Sequence, residues 1–415
     1  TPQVWYGAKV CNLLLQFWDF KAYVQGMMKP FKFAVTPDDA GLSDEELRTN
    51  ALAAAKDADY VVVIAGTDSK TASEENDRTT LELPYNQSKM IEDLLKINEN
   101  TIVVLVTLGA VTGSFFDKAH TVINAHYAGQ EQGTAIANVL FGNVNPNAKL
   151  TATWYKDEKD LPHINDYGLK WQDTLDGKAR TYMYFDGDVL FPFGYGLSYT
   201  TFEYSNLRVE QSVVDANGTL HARIDIANTG KYAGAEIVEA YVKKRVPEGT
   251  YDKLPEKQLK AFTKVYLNPG ETKTVDILIP VSEIDFWSPF YERMVVESGE
   301  YELQIGKSSA EIVQSQVFAI TGEWQAQIQA VKISSAKQIM HVGDKVQLEV
   351  SVTLVDSYHL KDKEKKIQFK SLNPDVITVD EDGVISAVSC GVATVEAIAT
   401  YQDTNAVGKI AIVVS

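Results

Sequence analysis

Two kinds of apolar segment alternate in the first half of the chain. Continuous apolar runs at 60–65, 101–106 and 121–125 are typical of strands that are buried on both faces. Between and after them, apolar residues recur at helical spacing over 87–97 and 131–141. Strands and helices in this alternation predict a parallel sheet with helices packed on its faces.

A further helix is predicted to begin after Ser43. Ser43 at the N-cap and Glu46 three residues later have the sequence of a capping box, and an Ala- and Leu-rich stretch follows to about residue 58. Residues 1–42 are rich in aromatic side chains but follow neither a helical nor a strand period, so they are left unassigned.

Near residue 200 the pattern changes to short segments in which apolar and polar residues alternate. These segments are separated by the turn sequences Asn217-Gly218, Pro269-Gly270, Ser298-Gly299 and Asp382-Gly383. The sequence therefore predicts a multidomain protein of the α/β plus all-β class. A parallel-sheet α/β sandwich domain with its linker is expected over 43–200, followed by two β-sandwich domains over 201–320 and 328–415.

The charge of the chain narrows the classes of partner. Its 415 residues contain 39 Lys and Arg against 56 Asp and Glu, a net charge of −17. Nucleic acids and anionic membranes bind cationic surfaces, so both are disfavoured as partners. No apolar run approaches the roughly 18 residues of a membrane span. Cys11 and Cys390 lie near opposite ends of the chain, and no Cys or His spacing fits a zinc site, so no disulfide, metal or cofactor is predicted.

The densest group of polar side chains follows the first buried strand, over residues 66–78. Ligand sites of α/β sheets lie beyond the carboxyl ends of the strands, where this loop begins. A carboxylic acid in such a loop can act as a general acid near neutral pH when burial or a second carboxylate raises its pKa. The loop alone slightly favours the other interpretation, a solvated acidic segment, because carboxylates of this kind mark functional sites only statistically.

Four stretches resemble, in the right order, motifs of glycoside hydrolase family 3. They are SEENDR at 73–78 with LELP at 81–84 and Gln87; YAGQEQG at 127–133 with LFG at 140–142; NPNAKLT at 145–151; and FPFGYGLSYTTF at 191–202. The resemblance extends over about 43–318 and includes the fibronectin type III-like domain that often follows the catalytic part. Residues from about 328 are similar in composition to a bacterial Ig-like module of the second group.

The resemblance implies a retaining glycosidase, with two carboxyl groups about 5–5.5 Å apart and a covalent glycosyl-enzyme intermediate. In the family an Asp nucleophile lies on a (β/α)8 barrel, and a Glu of the α/β domain is the general acid/base. The motif places this role on Glu74, with Glu75 as the second candidate. Asp77 and Arg78 are expected to form an ion pair that fixes the loop. Arg78 and Tyr184 are candidate substrate contacts, although the segment around Tyr184 is equally compatible with a packed linker strand.

A (β/α)8 barrel needs about 200–250 residues. Only 59 residues precede the first clear strand, and they have no barrel periodicity. We therefore expect this sequence to be the C-terminal half of a family 3 enzyme, either a fragment or one partner of a split enzyme, with the barrel supplied in cis or in trans. Thr1 in the place of Met and the absence of a signal sequence favour a processed or truncated start. Alone, such a chain should have little or no hydrolase activity.

Three functions remain to be compared. The first is the acid/base half of an exo-acting β-glucosidase or β-xylosidase that hydrolyses a β-linked oligosaccharide or glycoside. The second is a non-catalytic carbohydrate-binding or scaffold protein, secreted or on the surface of a bacterium, in which the two β-sandwiches bind. A nucleotide-binding protein is disfavoured, because Gly194-Tyr195-Gly196 lacks a third glycine and no glycine-rich phosphate loop follows any strand. An extracellular or cell-surface location is expected for either of the first two.

Overall fold

Three parallel strands form the sheet of the first domain. The computed structural model describes residues 42–74, 78–245, 254–288, 293–322, 327–354, 360–361, 364–401 and 404–415. Strands β1 (Val61–Gly66), β2 (Thr101–Val106) and β3 (Thr121–Asn124) pair in the order β1-β2-β3. Both pairings are parallel, so the carboxyl ends of the three strands meet at one edge, as the apolar runs predicted.

Helices occur at the three positions predicted for this domain: α1 (Asp44–Lys56), α2 (Gln87–Ile97) and α3 (Gln132–Leu140). A further single turn, α4 (Thr181–Tyr184), was not predicted. The capping box of α1 is confirmed, because the backbone N–H of Ser43 donates to Glu46 Oε2 at 2.8 Å and the N–H of Glu46 donates to Ser43 Oγ at 3.3 Å. Arg48 of α1 forms an ion pair of 2.5 Å with Asp93 of α2, which joins the two helices.

The chain between the sheet and the first sandwich packs back on the sheet. Strand β4 (Trp154–Tyr155) pairs with β5 (Val189–Phe191) in antiparallel fashion. The buried ring of Trp154 lies 6.0 Å from that of Phe191, and both belong to the apolar core that contains β2. Residues 180–185 contain the helical turn α4 in place of the strand considered from sequence, and a 3-10 turn lies at Glu158–Asp160.

The strands of the first β-sandwich are β6 (Phe202–Val209), β7 (Val213–Asp215), β8 (Thr219–Asn228), β9 (Gly234–Lys244), β10 (Gln258–Leu267), β11 (Thr272–Pro280), β12 (Phe286–Ser288), β13 (Arg293–Val295), β14 (Gly299–Gly306) and β15 (Ile312–Thr321). They form a five-stranded sheet in the order β10-β9-β14-β15-β7, a three-stranded sheet in the order β11-β8-β6, and a short hairpin of β12 and β13. Alternate residues of β8 are buried, because each faces the core shared with the opposite sheet.

The strands of the second β-sandwich are β16 (Ile328–Ser335), β17 (Ile339–Met340), β18 (Lys345–Leu354), β19 (Lys366–Ser371), β20 (Ile377–Val379), β21 (Val384–Ala387), β22 (Gly391–Tyr401) and β23 (Thr404–Val414). They form two four-stranded sheets, in the orders β16-β18-β21-β20 and β17-β23-β22-β19. As far as the described residues go, its apolar clusters contain no residue of the first sandwich. The predicted fold class, an α/β domain followed by two β-sandwiches, is therefore confirmed.

Polar contacts connect the α/β domain to the first sandwich. Lys149 Nζ lies 3.1 Å from Glu236 Oε1 and donates a 2.9 Å hydrogen bond to the carbonyl of Lys307. The backbone N–H of Leu259 donates to the Tyr182 hydroxyl at 2.9 Å. In the part of the chain that the structure describes, no helix is long and apolar enough to cross a membrane.

Candidate active site

The site begins at the carboxyl end of β1, where Gly66 approaches β2 closely. A Cβ on Gly66 would lie 1.9 Å from the carbonyl oxygen of Val106, so only glycine fits at this position. The Gln87 side chain bonds to both backbone groups of Gly66: Oε1 accepts from its N–H at 2.7 Å and Nε2 donates to its carbonyl at 2.9 Å. This joins the end of β1 to the start of α2 and fixes both ends of the intervening loop.

Asp68 organises the first turn of the loop that leads to Glu74. The carboxylate is buried, and its Oδ1 accepts hydrogen bonds of 3.0 Å from the backbone N–H groups of Lys70 and Thr71 and from the Thr71 hydroxyl. These bonds give Asp68 a structural role in the turn. Sequence reasoning counted it only among several carboxylates of the loop, although an Asp followed by a Thr three residues later is a recognisable turn signal.

Thr67 brings the loops after all three strands together. Its hydroxyl lies 2.7 Å from the Tyr127 hydroxyl and accepts a 3.2 Å hydrogen bond from the backbone N–H of Leu108. Tyr127 follows β3 and Leu108 follows β2. The polar loop, the YAGQEQG motif and the β2 loop therefore meet at one edge of the sheet, which is where a ligand site of an α/β domain is expected.

Glu74 lies in a turn of this loop with its side chain exposed. Its backbone carbonyl accepts a 3.5 Å hydrogen bond from the Ser73 hydroxyl. The carboxylate is therefore accessible to a molecule that approaches the carboxyl edge of the sheet. The second candidate, Glu75, and Asp77 fall outside the described residues, so the ion pair between Asp77 and Arg78 stays a prediction.

Arg78 is partly buried beside the loop after β2. Its guanidinium Nη2 lies 3.6 Å from the position that a Cβ on Gly109 would occupy. Within the described ranges, the buried Nη1 has no hydrogen-bond partner. Burial lowers the pKa of Arg78 from its ordinary value, and electrostatic interaction with Tyr127 opposes this shift. A buried guanidinium N–H calls for an acceptor, so Arg78 can still fix the loop or hold a substrate oxygen.

Tyr184, the other candidate substrate contact, lies at the end of α4 and is buried. Lys170 Nζ lies 5.7 Å from the centre of its ring, and burial raises the pKa of its hydroxyl. In this conformation the ring is packed within the domain. Among the residues that the structure describes, no three His, Cys, Asp or Glu side chains converge to hold a metal ion.

Three family models match the chain in order. Residues 11–199 match the glycosyl hydrolase family 3 C-terminal domain, 236–309 match a fibronectin type III-like domain, and 327–410 match a bacterial Ig-like domain of group 2. The chain carries the C-terminal domain of glycosyl hydrolase family 3. This confirms the family resemblance of its motifs. The match to the family 3 domain includes residues 11–42, which the sequence pattern left unassigned because they follow no clear period.

Relatives of this family 3 domain include glycosidases from bacteria and yeast. The thermostable beta-glucosidase B of Acetivibrio thermocellus is 39% identical over 275 residues, covering 65% of this chain and 36% of that protein. A beta-xylosidase of Formosa agariphila is 35% identical over 261 residues, covering 62% of this chain and 35% of that protein. The chain thus spans about a third of the length of these curated relatives.

Solved structures agree with the sequence relatives. The beta-glucosidase of Kluyveromyces marxianus in complex with glucose superposes with a TM-score of 0.60 and 32% identity, over 68% of this chain and 34% of that chain. The GH3 beta-glucosidase of Bifidobacterium adolescentis gives a TM-score of 0.62 and 29% identity, over 75% of this chain and 46% of that chain.

Proposed function

We propose that this chain supplies the general acid/base of a retaining, exo-acting β-glycosidase and that Glu74 has this role. The observation that carries the proposal is the position of Glu74. It is exposed on a loop that leaves the carboxyl end of β1 and whose start is fixed by Asp68, Thr67 and Gln87. A loop fixed at both ends holds a catalytic group in a small range of positions, as proton transfer to a bound substrate requires.

In the proposed reaction the carboxylic acid of Glu74 donates its proton to the glycosidic oxygen as the bond to the sugar breaks. The sugar is then held by a carboxylate nucleophile about 5–5.5 Å away, on a (β/α)8 barrel supplied in cis or in trans. The Glu74 carboxylate next removes a proton from water, which attacks the glycosyl-enzyme intermediate. The acid is thereby regenerated, and the configuration at the sugar is retained.

The substrate class proposed is a β-linked glucoside or xyloside. Its support is the similarity to a beta-glucosidase, to a beta-xylosidase and to a beta-glucosidase solved with glucose. Arg78 is the candidate contact for a substrate oxygen, because its buried Nη1 has no acceptor among the described residues. The alternative role of Arg78 is the ion pair with Asp77 that fixes the loop.

The proposal is tested by joining this chain to the part of the Acetivibrio beta-glucosidase that lies outside its 275 aligned residues. The joined protein should hydrolyse 4-nitrophenyl β-glucoside or β-xyloside with retention of configuration, and the 415-residue chain alone should not. In the joined protein, Glu74→Gln should abolish hydrolysis of unactivated β-glycosides, whereas the neighbouring Glu75→Gln should leave it nearly unchanged.

Two results would contradict the proposal. Turnover by the 415-residue chain alone that is lost in Glu74→Gln would place a nucleophile on this chain. Loss in Glu75→Gln with retention in Glu74→Gln would move the acid/base one residue along the loop.

A further inference from the structure

The α/β domain has an open groove in a region that carries none of the candidate catalytic residues. The groove has a volume of about 690 Å³ and lies between the 3-10 turn Glu158–Asp160, the loop at 171–179 and the turn at 185–188. Its walls combine two aromatic side chains, Trp171 and Phe185, with carboxylates that include Asp160 and Asp188. The volume lies within the range of about 300–1,000 Å³ that is usual for small-molecule sites. The lining is more polar than in most such sites, which favours a ligand rich in hydroxyl groups.

Trp171 is presented to the groove by a loop that is held from within. Asp166 accepts hydrogen bonds from the backbone N–H groups of Gly168 at 3.0 Å and Leu175 at 2.7 Å. The guanidinium of Arg180 donates to the carbonyls of Gly168 and His163, each at 3.2 Å. These bonds fix the loop while the Trp171 side chain stays 46% exposed. A fixed aromatic surface can bind a ligand without a large loss of loop entropy.

The ring of Phe185 lines the groove and is packed against its neighbours. This ring contacts Tyr155 edge to face, with ring centres 4.9 Å apart. Gly187 lies over the same ring, and a Cβ at that position would be 2.6 Å from Phe185 Cζ. A larger residue would therefore displace the ring and change the depth of the groove.

Two of the three lysines that line the groove form ion pairs with carboxylates. Lys159 pairs with Asp157 at 2.6 Å, and Lys178 pairs with Asp176 at 3.2 Å. The groove therefore offers no concentrated positive charge for an anion, and the chain as a whole is strongly negative. Its carboxylates are acceptors for hydroxyl groups, and its indole can pack against the C–H face of a pyranose ring.

We propose that this groove binds a neutral oligosaccharide, with one ring on Trp171 and hydroxyl groups donating to Asp160 and Asp188. The groove adjoins the segment that follows the Glu74 loop, because Glu158 Oε2 accepts 2.8 Å hydrogen bonds from the Thr80 hydroxyl and the backbone N–H of Leu81. The binding site does not include Glu74, so the proposal stands apart from the proposed hydrolase function.

The test is titration calorimetry of the full 415-residue chain with cellopentaose and with xylopentaose. Saturable one-site binding of at least one of them is expected, and Trp171→Ala should weaken it about tenfold or more. Trp171→Phe should retain part of the affinity. Tyr167→Ala is the matched control, because Tyr167 is an 88% exposed aromatic of the same loop that does not line the groove. That variant and Glu74→Gln should bind as the unchanged chain does.

Three outcomes overturn the proposal. The first is that neither sugar binds, and the second is that Trp171→Ala binds as tightly as the unchanged chain. The third is that Trp171→Ala and Tyr167→Ala lose affinity equally. Sedimentation of the same samples tests whether the groove instead binds another protein chain. Concentration-dependent self-association that is lost in Trp171→Ala, without sugar binding, would make the groove a protein-docking face.

Discussion

The side-chain amide of Gln87 pairs with both the N–H and the carbonyl of Gly66, at 2.7 and 2.9 Å. The bond partners are 21 residues apart, and the intervening chain carries the Glu74 loop. Gln87 thus supplies the hydrogen bonds that a further strand would give to the end of β1. Gln87 is buried, so water cannot easily replace its amide, and the position of the loop depends on it together with the bonds of Asp68 and Thr67.

Gln87→Leu should destabilise the α/β domain. The change leaves the N–H and carbonyl of Gly66 buried without partners, which costs about 2–4 kcal/mol in total. Hydrogen exchange of peptides that cover β1 should become faster, and the thermal unfolding of the domain should begin at a lower temperature. Gln172→Leu is the control, because Gln172 is exposed in the same domain and should change stability by less than about 0.5 kcal/mol. Unchanged β1 protection in Gln87→Leu would contradict the role given to this amide.

In the joined protein, Glu74→Ala should affect substrates according to their leaving groups. A general acid matters most when the leaving group is poor, so turnover of alkyl and sugar glycosides should fall by about 10²–10⁴. The first step with an activated aryl leaving group should be affected less, since it needs little protonation. Stopped-flow release of the aryl group separates this first step from the second.

Added azide should restore the second step for Glu74→Ala, because azide attacks the glycosyl-enzyme without a general base. The β-glycosyl azide should be detectable by mass spectrometry. Equal losses for good and poor leaving groups, with no azide product, would remove Glu74 from the acid/base role. The unchanged joined protein should give no rate increase with azide.

Glu239 should make the stability of the first sandwich depend on pH. Its buried Oε2 accepts a 2.6 Å hydrogen bond from the Tyr241 hydroxyl. Burial raises the pKa of Glu239 to about 7, although the Tyr241 bond and Lys149 oppose the shift; the charge of Glu236 adds to it. The folded state therefore holds a proton that the unfolded chain releases near pH 4.5. The stability contribution is complete below about pH 4.5 and is lost as the pH rises through about 7.

Urea unfolding at pH 5, 6, 7 and 8 measures this contribution. In the unchanged chain, the free energy of unfolding should fall between about pH 4.5 and 7. Glu239→Gln should remove the part of this fall that Glu239 causes. Glu203→Gln, at an exposed position of β6, should keep it. The same decline in Glu239→Gln and in the unchanged chain would show that other groups cause it.

A chain that ends at Gln325 should retain the unfolding transition of the α/β domain and the first sandwich. Among the described residues, the apolar clusters of the two sandwiches share no member, and a 3.2 Å hydrogen bond from Arg293 Nη1 to the Tyr401 hydroxyl connects them. Loss of one such bond costs about 1 kcal/mol. In calorimetry, the α/β domain and the first sandwich should unfold at the same temperature in the full and the shortened chain. Only the transition of the second sandwich should be missing from the shortened chain. Loss of cooperative unfolding in the shortened chain would mean that the sandwiches depend on each other.

The sequence by itself determined the secondary structure and the family. Local rules sufficed for the strands β1, β2 and β3, for the capping box of Ser43 and Glu46, and for the turns at Asn217-Gly218 and Asp382-Gly383, because period, cap and turn signals lie within a few residues. The ordered motifs together indicated glycoside hydrolase family 3. They also marked Glu74 as the candidate acid.

Only the tertiary structure decided which side chains support that loop and which form the groove. Thr67 and Tyr127 are 60 residues apart in sequence, yet their hydroxyls lie 2.7 Å apart because parallel strands bring their carboxyl ends to one edge. The burial of Glu239 likewise depends on a sheet partner and a neighbouring domain, neither of which a local pattern contains. No sequence pattern marked Trp171, and it lies at the groove because the bonds of Asp166 and Arg180 hold its loop. A contact energy depends on distance in space, and a sequence pattern records distance along the chain.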